Sequence, residues 1–219
     1  MIQTRYKNTL KGYIIFEIKS FIARNFLCRK LPKKKEDKIY LHLGCGTNYK
    51  DGFINADLIF SLKFWKRKTD KVDWIVDLRY PLPCDDEYFD GIFTEHTIEH
   101  LYPEDAINLL RECYRILKKN GIIRITVPDL DRYIDFCKNS LAVPEDFRKK
   151  YKYCAEAIHH LAQDNYHLSV WNFELLKDSL EYVGFRKVLK CNFGEGLNKD
   201  LILDIEERKF ETLYVEAIK

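Results

Sequence analysis

From Ile39 onward, apolar residues come in short β-prone runs, broken by turn residues and by one strongly periodic helix. Ile39-Tyr40-Leu41-His42-Leu43 stops at Gly44-Cys45-Gly46 and predicts a first strand. Phe53 to Leu58 follows an Asp51-Gly52 turn and predicts a second. Val72 to Leu78 is a third, ended by Pro81 and Pro83, and Phe89 to Thr94 a fourth, introduced by Asp85-Asp86-Glu87. Pro103 to Lys119 is the clearest helix. Pro103 suits its first position, Ala106, Leu109, Leu110, Cys113 and Leu117 recur at helical spacing, and Asn120-Gly121 supplies the stop. Ile122 to Val127 is a continuous β-branched run, as in a strand buried on both faces. Residues 129–170 read as irregular helix interrupted at Pro144, and Asn172 to Tyr182 as a helix ended by Gly184. Phe185 to Cys191 and Leu213 to Ile218 are late strands that pair as a hairpin-like edge. Alternation of this kind predicts an α/β domain with a mostly parallel sheet and helices on both faces.

The first 38 residues differ in character. They hold eleven Lys/Arg against three acids, a charge of +8, while the remaining residues are mildly acidic and the whole chain is +3. We therefore divide the chain into a basic helical extension (1–38) and an α/β domain (39–219). On a helix, Leu10, Ile14, Ile18 and Phe21 share one face, whereas Ile15, Phe16 and Phe26 lie off it. That distribution favours packing of the helix on the domain, ahead of peripheral contact with an anionic membrane. Lys33-Lys34-Lys35 after Pro32 reads as a hinge. No apolar run approaches the ~18 residues of a membrane span. The early residues also lack the pattern of a secretory signal. Seven cysteines without a C-x-x-C pair suggest reduced thiols in a cytoplasmic setting, not a disulfide scaffold or zinc ribbon.

The chemistry gathers at the carboxyl ends of the first strands. A glycine turn after a strand brings backbone N–H groups close to a ligand. Asp57, at the end of the second strand, can accept from two ribose hydroxyls; it follows Gly46 so closely that any helix between them is short or absent. Asp77 and Leu78 end the third strand, where a carboxylate and a backbone N–H suit an adenine edge.

Together with Leu82 to Asp90, Glu95-His96-Thr97-Ile98-Glu99-His100-Leu101 and Leu110 to Gly121, these segments resemble the class I, Rossmann-like S-adenosylmethionine-dependent methyltransferases. The similarity is closest to small bacterial and archaeal members associated with glycan pathways. It implies a seven-stranded sheet with its last strand antiparallel. It also implies S-adenosylmethionine as cofactor, held by His42, Gly44, Cys45, Gly46, Asp57, Asp77, Leu78 and Thr94. His42 replaces the family's usual acid, and Asn48 its third glycine. Cys45 is read as a small residue filling a tight turn.

The expected reaction is in-line methyl transfer to a small-molecule or saccharide acceptor, with O-methylation preferred. His96 is the leading general base, Glu95 the second, and His167, in a segment resembling the rim of the family's acceptor pocket, a third. Residues 129–170 would form the acceptor lid. Glu99 and His100 are expected to bond to backbone and fix the loop, with no metal assigned. Two other readings remain. His96-x-x-Glu99-His100 fits an inverted zinc-protease signature, in which both histidines share a metal on one helix face. The chain could also be a nucleoside-binding module without catalysis. Nucleic acid is disfavoured, although Phe60, Phe64, Trp65, Lys66, Arg67 and Lys68 form an aromatic, basic stretch.

Overall fold

Strands β1 (Tyr40–Leu43), β2 (Phe53–Asp57), β3 (Trp74–Ile75), β4 (Phe89–Glu95), β5 (Leu117–Pro128), β6 (Arg186–Cys191) and β7 (Thr212–Ile218) form a single sheet in the order β3-β2-β1-β4-β5-β7-β6. β7 runs antiparallel to both its neighbours, and the remaining pairings are parallel. The fold is thus the expected Rossmann-like α/β sheet. This is a computed structural model, and it describes residues 10–27, 31, 37–59 and 72–219. The aromatic stretch from Phe60 to Lys68 and the Lys33 to Lys35 run lie outside the described residues.

Alternation along the strands sorts side chains onto two faces. Leu41, Leu43, Ile54, Ala56, Ile92, Ile123, Ile125 and Val215 join the main core. Against it pack α2 (Pro103–Ile116), through Ala106, Leu109, Leu110, Cys113 and Ile116, and α6 (Phe173–Val183), through Leu176 and Leu180. α2 ends at Ile116, short of the expected Lys119. The chain turns extended at Leu117, and Lys118 reaches Asp90 at 2.7 Å. β3 is also shorter than its apolar run suggested.

The other face carries a smaller cluster of Tyr40, Phe53, Phe93 and Leu201. Beside it Arg124 is fully buried, bonded to Asp204 (2.6 Å), Glu216 (3.0 Å) and the Glu195 carbonyl (3.0 Å). A buried guanidinium is tolerated only when its donors are satisfied. This one pins the 192–211 segment across the sheet.

Residues 129–170 contain α3 (Leu130–Cys137), α4 (Glu145–Lys150) and α5 (Cys154–Gln163). They close their own core around Tyr133, Phe136, Phe147, Ala157 and Leu161. Both ends are tied together, with Leu130 N donating to the Trp171 carbonyl at 3.0 Å. Cys137 and Cys154 form a disulfide, which corrects the expectation of reduced thiols throughout. The end of α3 and the start of α5 lie side by side, with a Cα–Cα distance of 4.8 Å.

The N-terminal helix α1 (Leu10–Ile22) docks at the carboxyl end of β3, but not by the expected face. Ser20 and Ala23 are buried, whereas Ile14, Ile18 and Phe21 are exposed. Small side chains let the helix approach closely. Ser20 Oγ donates to Asp77 at 2.5 Å, and Arg79 pairs with Glu17 at 2.6 Å.

Candidate active site

The glycine loop is stitched to β2. Gly44 N and Cys45 N donate to the Ala56 carbonyl (2.9 and 3.2 Å), and Gly46 N donates to Asp57 Oδ2 at 2.8 Å. Both glycines have positive φ (+66° and +53°). A Cβ on Gly44 would strike the Thr97 side chain at 2.2 Å, whereas one on Gly46 would meet nothing within 4 Å. The Cα of Gly46 therefore faces open space, while its N–H is engaged by Asp57. No helix separates β1 from β2, as their close spacing required.

Asp57 stands over this loop. Burial pushes its pKa up, against the backbone N–H groups of Gly46 and Leu58. Cys45 is buried and its thiol is pushed up to about 12, so it stays protonated and serves as turn filling. His42 is buried in the sheet, beside Asn55 Oδ1 at 3.3 Å and the Phe93 ring. Burial lowers its pKa to about 4, against the Asn55 bond, and the imidazole is neutral near pH 7. Thr94 is buried at the end of β4, and its hydroxyl has no hydrogen-bond partner. Leu78 is half-buried against the main core.

Asp77 differs from expectation. Its carboxylate accepts from Ser20 Oγ, from Arg79 N at 3.0 Å and from the Arg79 guanidinium at 2.7 Å. Although burial opposes it, these bonds hold its carboxyl below the usual range. In this structure Asp77 anchors α1 and offers no free edge to an adenine.

The turn after β4 holds the histidines. His96, just past the end of β4, adopts φ +46°. Its Nε2 lies 3.0 Å from Thr212 Oγ1 and its Nδ1 3.4 Å from Glu99 Oε1. Ile98–His100 is a single 3-10 turn, so His96 and His100 do not form the helical i, i+4 pair of a zinc protease. Glu99 bonds to backbone through its main chain and not through its carboxylate. Its carboxylate is 2% exposed and makes no hydrogen bond, while its carbonyl accepts from Leu168 N and Ser169 N (2.7 and 3.1 Å). His167 stands against that carboxylate, with Nε2 4.0 Å from Glu99 Oε1 and Nδ1 donating to the Leu161 carbonyl at 2.6 Å. Glu95 is half-buried and accepts from Asn48 Nδ2 at 3.1 Å; burial raises its pKa, against Lys50 and His96.

A cavity of about 750 Å³ opens at the same sheet edge, beyond the ends of β5, β6 and β7. Asp129, Lys190, Phe193, Phe210, Thr212 and Tyr214 are among its walls. Asp129 is buried, which raises its pKa against nearby Lys190. Thr212 therefore links His96 to the cavity, a connection across 116 residues of sequence that no local pattern signals.

Residues 41–125 match the family model described as a methyltransferase domain. No curated protein matches the chain. Among solved structures, a SAM-dependent methyltransferase from Archaeoglobus fulgidus is similar, at 21% identity with a TM-score of 0.51. The match covers 94% of this chain and 99% of that one. A methyltransferase of Haloferax volcanii, solved with its Trm112 activator, aligns at 14% identity and TM-score 0.49, over 95% of this chain and 93% of that one. A phosphoethanolamine N-methyltransferase of Haemonchus contortus, in complex with S-adenosylhomocysteine, aligns at 15% and 0.48, over 98% and 59%.

Proposed function

For a chain whose central region is a class I, Rossmann-like S-adenosylmethionine-dependent methyltransferase domain, we propose O-methylation of a hydroxyl-bearing small molecule or saccharide. The residues present suit the cofactor. The open space at the Cα of Gly46 suits its close approach, Asp57 suits the ribose hydroxyls, and the unpaired Thr94 hydroxyl lies at the same edge. S-Adenosylmethionine supplies a methyl group already activated on a sulfonium. The protein's task is then to align the acceptor, exclude water and remove one proton.

The observation that carries the reading is the row Glu99 Oε1, His96 Nδ1, His96 Nε2, Thr212 Oγ1. A buried carboxylate behind Nδ1 orients the ring and favours a proton there, leaving the Nε2 lone pair facing the hydroxyl of Thr212, which lines the cavity. His96 Nε2 takes the acceptor's hydroxyl proton as the new O–C bond forms and the methyl–sulfur bond breaks. Glu95 is the second candidate base. His167, turned to Glu99 and Leu161, holds the turn and does not serve as base. Carboxylates, amines and aromatic rings in the cavity suit a polyhydroxylated acceptor, with residues 129–170 as its cover. His96→Ala should lower kcat by about 100-fold or more with S-adenosylmethionine affinity unchanged. A near-neutral effect on kcat would remove His96 from the proton path.

The exposed face of α1 supports a second element of the proposal. Tyr13, Ile14, Ile15, Ile18 and Phe21 are exposed on a segment whose sequence carries +8. We place the enzyme at the cytoplasmic side of an anionic membrane, in peripheral contact through this helix.

A further inference from the structure

Glu99 is the least satisfied polar group of the described site. It is buried at 2% exposure, and neither oxygen accepts a well-formed hydrogen bond; His96 Nδ1 stands 3.4 Å from Oε1, and Oε2 has no partner. A buried carboxylate in that position needs an electropositive partner. Three imidazoles surround it. His96 is turned by its other nitrogen to Thr212, whereas His100 and His167 stack edge-to-face with ring centres 5.0 Å apart.

His167 decides the chemistry. The Leu161 carbonyl can only accept, so in the neutral ring the proton sits on Nδ1. Nε2 therefore presents a lone pair to Glu99 Oε1 across 4.0 Å. Two acceptors face each other with nothing donating between them. The gap is twice the ~2.0–2.2 Å bond from zinc to histidine nitrogen or carboxylate oxygen. One ligand atom each from Glu99, His100 and His167 lies within 4.8 Å of the others. Around a tetrahedral zinc such atoms stand roughly 3.3 Å apart, so the cluster closes by about an ångström on binding.

We propose that Glu99, His100 and His167 bind one first-row divalent ion of the zinc type. Imidazole donors disfavour magnesium and calcium. The Leu161 carbonyl acts as the outer partner that fixes the tautomer of a metal-bound histidine. The ion joins the turn after β4 to the end of the 129–170 insertion, beside the Leu168 N and Ser169 N bonds to the Glu99 carbonyl. Its role is to hold the acceptor cover in register with the catalytic turn. The site differs from the helical His96–His100 pair and implies no hydrolysis.

The test uses the full-length protein, stripped by chelator and titrated with zinc by calorimetry and with cobalt by visible absorption. One equivalent should bind, with the strong absorption of a tetrahedral cobalt site and a rise in Tm on zinc addition. His167→Ala and Glu99→Gln should each weaken zinc by more than about 100-fold, since loss of an outer partner alone costs 10–100-fold. His167→Cys should retain cobalt and add a thiolate-to-cobalt charge-transfer band, which reports direct ligation even if the alanine variant fails to fold. No stoichiometric binding by the wild-type protein overturns the proposal. So does binding that survives in both His167→Ala and Glu99→Gln. S-Adenosylhomocysteine binding, measured on the same stripped protein, reports separately on the methyltransferase reading.

Discussion

Gly44 and Gly46 sit two residues apart and answer to different constraints. Gly44 backs onto Thr97, so Gly44→Ala adds a clash to the cost of positive φ, about 3 kcal/mol or more in total. Gly46 faces open space, so Gly46→Ala carries only the backbone cost of about 1–2 kcal/mol. That variant should nonetheless lose at least about tenfold in S-adenosylhomocysteine affinity, since 1.4 kcal/mol is one decade. Denaturant unfolding and calorimetry separate the two, and unchanged affinity in Gly46→Ala would contradict the placement of the cofactor. His42 carries a pH signature. Its folded pKa, about 4, lies below the ordinary 6.5, so the unfolded chain binds the extra proton. Stability from this group is complete above pH 6.5 and is lost as pH falls toward 4, by up to about 3 kcal/mol. Urea midpoints at pH 7.5 and pH 5 should show the fall, with a shallower slope in His42→Gln. An equal slope in the variant would assign the acid sensitivity elsewhere.

At the scale of elements, strands were legible where burial on both faces makes the run continuous, as in Ile122 to Val127, or where a glycine turn ends it, as at Leu43. The loop and Asp57 followed from the same signals. The face of α1 was not legible. Helical spacing locates an apolar stripe but does not say whether it packs inward, and here Ser20 and Ala23 form the contact. The Cys137–Cys154 bond was hidden because it depends on α3 packing against α5, as was the His96–Thr212 contact, which depends on the antiparallel return of β7. The outward stripe of α1 makes a prediction of its own. The protein should sediment with phosphatidylglycerol vesicles, less so with phosphatidylcholine, and should be released by salt. Ile14→Ser with Phe21→Ser should weaken binding by about tenfold or more, at roughly 0.8 kcal/mol per buried methylene. Absence of the protein from the anionic pellet would reject the membrane contact.

Across the whole molecule, the sheet edge divides into two territories. The glycine loop, Asp57 and Thr94 lie at the ends of β1, β2 and β4, and the cavity lies at the ends of β5, β6 and β7. His96 stands at the seam, joined to the cavity wall through Thr212 and backed by Glu99. In the proposed reaction donor and acceptor meet at that seam, and no residue forms a covalent intermediate. The division rests on a sulfonium cofactor seated at the first territory. Calorimetry with S-adenosylhomocysteine tests that most directly, on the wild-type protein and on Asp57→Ala. The account predicts one site per chain and an affinity at least about tenfold weaker in the variant, the loss of a hydrogen bond made by a charged group. Absence of binding by the wild-type protein, or equal binding by both, would contradict it.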